Sequence, residues 1–316
     1  MPDEARDVTL RLYEQGNAIK IMKEFLDHWG TLPDAAVLHL YAIVDSAQDA
    51  SLLAALHKAT PETHSQCLLP DAQGPELSKA APHLVALPPF AAELDAWQLI
   101  ARRAAANPAS VTVIASPLQF SRLHAQLAAF TEVVLPDGDE MHFAFWDPVI
   151  LGTLVGQKSD STLHVPGPVM SARQISKLLM GIQAWWYWGR DGKQHQIEDQ
   201  ARQSDADYVT LPLKLIPIQL EMLIEASVPD NLVGYMKQNQ PLLLHGMPEL
   251  EQYLGVKRHL LSARRLNLRG MQDLINYICA EFIYGKQMRN DRVIVELLDK
   301  VKSGEITLAK ALEQFP

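Results

Sequence analysis

The residues of this chain that could do chemistry include one aspartate at the end of an apolar run. Asp45 follows the run 37–44, and the carboxyl end of a strand is where an open sheet places its binding crevice. With a nearby histidine, such an aspartate could act in acid–base catalysis. Aspartate is also a favoured helix cap and turn former, and the sequence favours this structural role.

A second group of potential ligands consists of Asp137, Asp139, Glu140 and His142. By residue type these side chains could hold a metal ion, but a hard cation needs more oxygen ligands at regular spacing. The Asp-Gly pair in this segment is typical of a tight hairpin turn. We therefore predict a solvated turn here and no metal site.

Motifs of the common enzyme and cofactor sites are missing from the sequence. It contains no Gly-x-Ser-x-Gly elbow, no glycine-rich phosphate loop and no His-Glu-x-x-His pair. Its eleven histidines are scattered, and its two cysteines, Cys67 and Cys279, lack the spacing of a zinc site or a disulfide framework. We predict two buried thiols, no cofactor and no catalytic activity.

Charge is distributed unevenly along the chain. Residues 1–170 contain 10 basic and 20 acidic groups, whereas residues 171–316 contain 18 basic and 17 acidic groups. This difference suggests that the two halves present different surfaces to different partners. The densest basic stretch, 257–269, lacks the aromatic side chains of a stacking platform, so we predict a solvated helix face and no nucleic-acid binding.

Membrane insertion and export are not indicated by the sequence. It has no run of about eighteen or more apolar residues, which a spanning helix requires. Residues 1–11 are acidic and lack the basic-then-apolar order of a signal peptide. We expect a cytoplasmic protein without stable membrane insertion.

The elements that position these residues alternate between strands and helices in the first half. An amphipathic helix is predicted over 10–29, and Pro and Gly residues separate the later elements. The predicted strands are 37–44, 65–69, 83–87, 110–115, 131–135 and 141–146, and the predicted helices are 49–59, 94–105 and one that starts at Pro117. This order predicts an α/β (α+β) lobe with a mixed sheet flanked by helices.

Helical spacing dominates after Met170, notably over 213–226, 248–261 and 271–282. The domain prediction is therefore a helical N-terminal extension, an α/β domain, a linker and a mainly α-helical C-terminal lobe. Their boundaries are 1–36, 37–156, 157–169 and 170–316.

Four consecutive aromatic residues, 185–188, stand out in the second half. They cannot all face one core from a single helix or strand, because successive side chains point in different directions. Core or domain-interface packing is the favoured interpretation. Trp185, Trp186 and Trp188 are nevertheless the candidates for a partner-binding site, because tryptophan is enriched at binding hot spots.

Three segments together resemble one protein family. The segment 41–49 reads YAIVDSAQD, the segment 81–85 reads APHLV, and the segment 142–151 reads HFAFWDPVIL. In this order they resemble the type VI secretion effector chaperones, or adaptors, whose N-terminal module is a domain of unknown function. The chain departs from the family pattern at His142, where arginine is usual, and at Val149, where a basic residue is usual.

The resemblance implies a role and a set of structural residues. It implies a non-enzymatic chaperone that binds a secreted toxic effector, stabilises it and promotes its loading onto the valine-glycine-repeat (VgrG) spike protein or its PAAR tip. The family motif implies structural roles for Asp45, Trp146, Asp147 and Pro148. The similarity covers about 37–156 well and the remainder weakly.

Two alternatives remain open on the sequence alone. One is an α/β enzyme, a hydrolase or transferase, with an active site near Asp45 and a deep polar pocket at the strand ends. The other is a structural or regulatory scaffold of the secretion apparatus that does not handle a toxin.

Overall fold

A computed structural model of the chain divides it into two compact units, Met1–Leu223 and Ile224–Pro316. The structure describes residues 2–69, 79–90, 94–198 and 209–316, and the side chains of the first helix from Gly16 onward. The predicted fold class is confirmed: sheets flanked by helices come first, and a mainly helical region follows.

The first unit contains two sheets among its described residues. Its strands are β1 (His39–Asp45), β2 (Ser65–Cys67), β3 (Pro82–Leu87), β4 (Val111–Ser116), β5 (Glu132–Val134), β6 (Glu140–His142), β7 (Ala184–Trp188), β8 (Gln194–Ile197) and β9 (Leu213–Lys214). The larger sheet has the order β2-β3-β1-β4-β7-β8 with antiparallel neighbours. The smaller sheet, β6-β5-β9, combines an antiparallel and a parallel pair.

Helices pack against both faces of the larger sheet. They are α1 (Pro2–Trp29), α2 (Leu52–Ala59), α3 (Leu94–Ala106), α4 (Phe120–Ala128), α5 (Pro148–Val155) and α6 (Ala172–Leu178). One core lies between the sheet and α1, α2 and α3. The other lies between the sheet and the side that contains α4, α5, α6 and the smaller sheet.

Strand β1 shows why the sheet is covered on both sides. Its residues Leu40 to Asp45 are all buried, so the strand reads as a nearly continuous apolar run. Because side chains alternate along a strand, Tyr41 and Ile43 join one core whereas Leu40, Ala42 and Val44 join the other. The central strands therefore hold both layers together.

Two parts of the sequence-based description differ from the structure. Residues after Met170 were predicted to be helical, but β7 and β8 extend the larger sheet and β9 completes the smaller one. The predicted linker, 157–169, lies inside the first unit, and the division into units falls within α7, between Leu223 and Ile224. The reason is that the apolar strand β7 can bury both of its faces only inside the sheet.

The second unit is helical over its described residues. Its elements are α7 (Pro217–Asn239), which begins in the first unit, α8 (Pro241–Leu244), α9 (Glu249–Arg265), α10 (Met271–Tyr284), α11 (Gln287–Asn290), α12 (Arg292–Ser303) and α13 (Leu308–Leu312). Asp291 caps α12 by accepting hydrogen bonds from the backbone of Val293 and Ile294 at 2.8 and 3.3 Å. A single, mainly aliphatic core fills the space between the helices.

Candidate functional site

Asp45 lies at the end of β1, and both of its carboxylate oxygens are engaged. Oδ1 accepts a hydrogen bond from the backbone N–H of Ala47 at 2.9 Å, which forms the turn after the strand. Oδ2 accepts a hydrogen bond from the indole Nε1 of Trp146 at 2.9 Å, and both side chains are buried. The aspartate therefore combines the turn role expected from the sequence with a long-range link that sequence spacing does not reveal.

Asp147 and Pro148 start helix α5. The Asp147 carboxylate accepts hydrogen bonds from the backbone of Val149 and Ile150 at 2.8 and 3.3 Å, and Pro148 occupies the first turn. Burial raises the pKa of Asp147, although these hydrogen bonds and the charge of Arg190 act in the opposite direction. The Asp-Pro pair is thus a helix-start signal in a dry environment.

Trp146 and Asp147 connect two of the motif segments in space. Trp146 binds Asp45 from the first segment, while Asp147 fixes the start of α5, which begins within the third. Of the two positions that depart from the family pattern, His142 lies exposed on β6, and the backbone N–H of Val149 binds the cap. Asp45, Trp146 and Asp147 thus bind other parts of the fold, and Pro148 lies in the first turn of α5.

The aromatic run is buried within the larger sheet. Trp185 and Tyr187 point into one core, and Trp186 and Trp188 point into the other. The exposed fraction is 0% for Trp185 and Trp186 and 1% for Trp188. Hence the three tryptophans that were candidates for partner binding do not reach the surface in this fold, and the packing alternative describes them. The physical reason is that β7 is an interior strand covered on both faces.

Hydrogen bonds hold two of these indoles in place. Trp185 Nε1 donates to Thr112 Oγ1 at 3.0 Å, and Trp186 Nε1 donates to Gln196 Oε1 at 3.1 Å. A buried indole N–H normally requires such an acceptor. The run is therefore anchored from both neighbouring strands, β4 and β8.

A polar cluster near the β7–β8 turn was not identified from the sequence. Asp160 and His195 are buried, and Tyr187 donates a hydrogen bond from its hydroxyl to Asp160 Oδ2 at 3.2 Å. His195 Nδ1 lies 3.0 Å from Ser159 Oγ. The residues are separated along the chain and lack a motif, so spacing offered no signal for the cluster.

Serine, histidine and aspartate occur together here, but their geometry differs from that of a catalytic triad. His195 Nε2 is 3.9 Å from Asp160 Oδ2, which is too long for a hydrogen bond. Asp160 Oδ1 instead accepts two hydrogen bonds from Thr162, at 2.9 Å from its backbone and 2.6 Å from its hydroxyl. A triad needs the carboxylate to orient the imidazole, and here it orders a turn.

The electrostatics of His195 follow from its burial. Burial lowers its pKa, and the nearby carboxylates of Asp160 and Asp191 only partly oppose that effect. Burial and the adjacent Asp160 both raise the pKa of Tyr187. Burial therefore disfavours the charged forms of both His195 and Tyr187 in this cluster.

The second unit contains its own buried carboxylate. Glu281 Oε1 accepts a hydrogen bond from the Tyr277 hydroxyl at 2.9 Å, and His259 Nδ1 lies 3.3 Å from Oε2. Burial acts to raise the pKa of Glu281, but the contacts with His259 and Tyr277 outweigh it and lower the pKa. This carboxylate links α9 to α10.

The acidic turn contains the other candidate metal ligands of the sequence. The acidic turn is held by a hydrogen bond from the backbone of Asp139 to Asp137 Oδ1 at 3.2 Å. Over residues 2–69, 79–90, 94–198 and 209–316, no group of three or more His, Cys, Asp or Glu side chains is arranged to hold a metal. No helix in those ranges is both long and apolar enough to cross a bilayer.

One pocket lies between α1, α3 and the larger sheet. Its lining is apolar and aromatic: Ile21, Met22, Phe25, Phe90, Trp97, Ile100, Ala101, Val113 and Trp188. Such a lining offers no carboxylate or imidazole for acid–base work. It differs from the deep polar pocket at the strand ends that the enzyme alternative expects.

Comparison with known proteins gives one match. No curated protein and no solved structure matches the chain. A family model described as a domain of unknown function (DUF4123) matches residues 40–164. The match begins in β1, contains the three motif segments and ends just after Thr162, so this part of the first unit is similar to that domain.

Proposed function

We propose that this protein is a non-enzymatic adaptor that binds a type VI secretion effector and stabilises it. It then promotes the loading of that effector onto the VgrG spike or its PAAR tip. The match of residues 40–164 to the domain model carries the proposal, because that domain is typical of type VI effector adaptors. The order of the three motif segments within the match supports it.

The contacts of the motif residues also support a binding role over catalysis. Asp45, the residue best placed for acid–base chemistry, uses both carboxylate oxygens in internal hydrogen bonds. A general base needs a free position within hydrogen-bond reach of its substrate. On this proposal the motif builds a rigid scaffold, and the protein acts by affinity alone.

An affinity pull-down from the native cells tests the proposal. The tagged protein is purified at its natural abundance, and the co-purifying proteins are identified by mass spectrometry. We expect a large effector or a spike protein in near-stoichiometric amounts. Recovery of neither, with a protein that circular dichroism shows to be folded, would overturn the proposal.

A second measurement separates a chaperone from a scaffold. If this protein stabilises its effector, deletion of its gene removes soluble effector from the producing cells, and a plasmid copy restores it. If it is only a scaffold of the apparatus, the amount of soluble effector is unchanged and delivery alone is lost. Quantitative immunoblotting of the soluble fraction distinguishes the two results.

A further inference from the structure

One exposed surface of the second unit combines basic and apolar side chains. It consists of Arg258, Leu261, Arg265, Arg269 and Met271, and we name it the basic corner. The first three share one face of α9, because residues three and seven positions apart lie on the same side of a helix. Arg269 lies in the turn that follows α9, and Met271 is the first residue of α10. The five side chains therefore lie on one face of α9, in the turn that follows it and at the start of α10.

The opposite face of α9 is fixed in the core. Tyr253, Val256, Leu260 and Ala263 are buried and pack in the single core of this unit. Rotation of the helix to hide the exposed face would therefore expose this core. The basic corner is a surface that the fold holds in place.

Charge on this segment is of one sign. Residues 252–272 contain five basic residues and no acidic residue. Arg264 is paired with Glu225 through two hydrogen bonds of 3.1 and 2.6 Å. The guanidinium groups of Arg258, Arg265 and Arg269 make no side-chain hydrogen bond or ion pair with any residue that the structure describes.

No ion pair joins these three arginines to an acidic residue that the structure describes, including Glu251, which precedes the segment. Asn267 donates a hydrogen bond to the backbone carbonyl of Lys302, so a further lysine belongs to the same region. Asp273, in the first turn of α10, is the next acidic residue along the chain. Its carboxylate lies at a helix N-terminus, where negative charge is already favourable.

The two apolar side chains of the basic corner are also exposed. Leu261 is 44% exposed and Met271 is 46% exposed. Single exposed apolar residues are common on protein surfaces, but here two of them lie beside unpaired arginines. Arginine is enriched at protein interfaces, where its stem packs on apolar groups while its guanidinium binds carboxylates.

Two other classes of ligand fit this surface less well. Single-stranded nucleic acid is bound with the help of exposed aromatic side chains. The only Phe, Tyr or Trp in 252–272 is Tyr253, and it is buried. A membrane-surface helix inserts one wide apolar face, whereas the wide apolar face of α9 is occupied by the core. A protein segment that is both acidic and apolar satisfies both kinds of exposed side chain.

We propose that the basic corner binds an acidic amphipathic helix of a partner protein, with glutamates or aspartates on the arginines and an apolar residue against Leu261 and Met271. This proposal rests on the proposed adaptor function and specifies the surface and the partner chemistry. An acidic partner complements the charge of these arginines, and charge complementarity governs encounter and register at interfaces.

A direct binding assay tests the surface. The probe is a fluorescent synthetic helix with leucines along one face and glutamates beside them, and its anisotropy is followed as full-length protein is added. We expect the double variant Arg258→Glu/Arg265→Glu to bind about tenfold more weakly or worse, since arginines are frequent hot spots. The control Arg102→Glu/Arg122→Glu changes net charge equally at exposed positions of the first unit and should bind as the wild type does.

Further probes test specificity. Leu261→Ser/Met271→Ser should also weaken binding severalfold, and a peptide of the same composition in scrambled order should bind less tightly than the amphipathic one. Equal binding by the wild type and the arginine variant would overturn the proposal. So would tighter binding of a single-stranded oligonucleotide, or of anionic lipid vesicles, than of the peptide at the same salt concentration.

The pull-down separates failure of this surface from failure of the adaptor function. Loss of the co-purifying partner with Arg258→Glu/Arg265→Glu, but not with the control variant, supports the basic corner. Retention of the partner with both variants overturns the basic corner and leaves the adaptor function intact. If the wild type itself recovers no partner, the adaptor proposal fails, and the peptide assay still decides the surface.

Discussion

The two units differ in which side chains they bury and which they leave exposed. In the first, a sheet with helices on both faces buries a run of four large aromatic residues, and internal hydrogen bonds engage Asp45, Trp146, Trp185 and Trp186. In the second, amphipathic helices surround one core, and one helix keeps arginines and a leucine on its outer face. Thus the residues most unusual in the sequence stabilise the fold, whereas ordinary surface residues of α9 are available for recognition.

Tryptophan fluorescence makes this comparison measurable. All six tryptophans precede Ile224, so their emission reports on the first unit alone. Helical circular dichroism reports on both units, with a large contribution from the second. Denaturation followed by the two signals therefore separates the stability of the units.

The largest expected effect comes from Trp186→Ala. Removal of a fully buried indole leaves a cavity and takes away the donor to Gln196 Oε1, and it costs about 3–5 kcal/mol of unfolding free energy. In the second unit, Tyr235 is 39% exposed, and Tyr235→Ala should lower the free energy of unfolding by no more than about 0.5 kcal/mol. Urea denaturation measures both values, and similar costs would contradict the assignment of the aromatic run to the core.

A smaller effect is expected from the link between the motif segments. Asp45→Ala leaves the buried Trp146 indole without its acceptor and should cost about 1–3 kcal/mol. Asp45→Asn keeps a carbonyl acceptor and should cost less. In a double-mutant cycle with Trp146→Phe, the two effects should be non-additive, and additive effects would mean that the hydrogen bond contributes nothing.

The pH dependence of stability should also differ between the units. The pKa of His195 in the folded state is below its ordinary value of 6.5, so the first unit should lose stability as pH falls below 6.5. The folded pKa of Glu281 is below its ordinary value of 4.5, so its contribution to the second unit should persist until pH falls below 4.5.

Two neutral substitutions check the origin of this difference. His195→Gln should weaken the pH dependence of unfolding, followed by tryptophan fluorescence, as the pH falls below 6.5. The part that remains is expected from His83, whose pKa is also lowered by burial. Glu281→Gln should change only the more acidic part of the circular dichroism profile. If the free energy of unfolding of the wild-type first unit stays constant as the pH is lowered below 6.5, the role assigned to His195 is excluded.

The smallest stability effect is expected at the basic corner. Arg258→Glu/Arg265→Glu replaces two exposed side chains that have no partner among the described residues. The free energy of unfolding should therefore change by no more than about 0.5 kcal/mol. Its effect on peptide binding should be much larger than its effect on folding. Unfolding of the second unit in this variant would show instead that these arginines stabilise the helices.

Much of the fold was predictable because local patterns agreed with tertiary packing. The predicted strand 37–44 corresponds to β1, and the predicted helix 94–105 corresponds to α3. The apolar periodicity of 248–261 and 271–282 likewise predicted α9 and α10 of the second unit. In each case, a single element already carries the apolar pattern of the face or faces that it buries.

Strand β7 was not predicted because its environment is not local. Four consecutive aromatic residues lack a period, and the alternation between two cores becomes visible only when β4 and β8 flank the strand. The position of the division between units was missed for the same reason. Residues 170–223 read as a separate region until β7 and β9 join sheets built from earlier parts of the chain.

The sequence by itself determined the order of strands from β1 to β6, the absence of common catalytic motifs and the three motif segments of the domain that matches residues 40–164. Tertiary structure decided which side chains meet: Asp45 with Trp146 across 101 positions, and Ser159 with His195 across 36. It also decided that the aromatic run is buried and that Arg258, Leu261 and Arg265 are exposed. The physical reason is that spacing along the chain specifies the faces of single elements, whereas burial and long-range contacts depend on what packs against them.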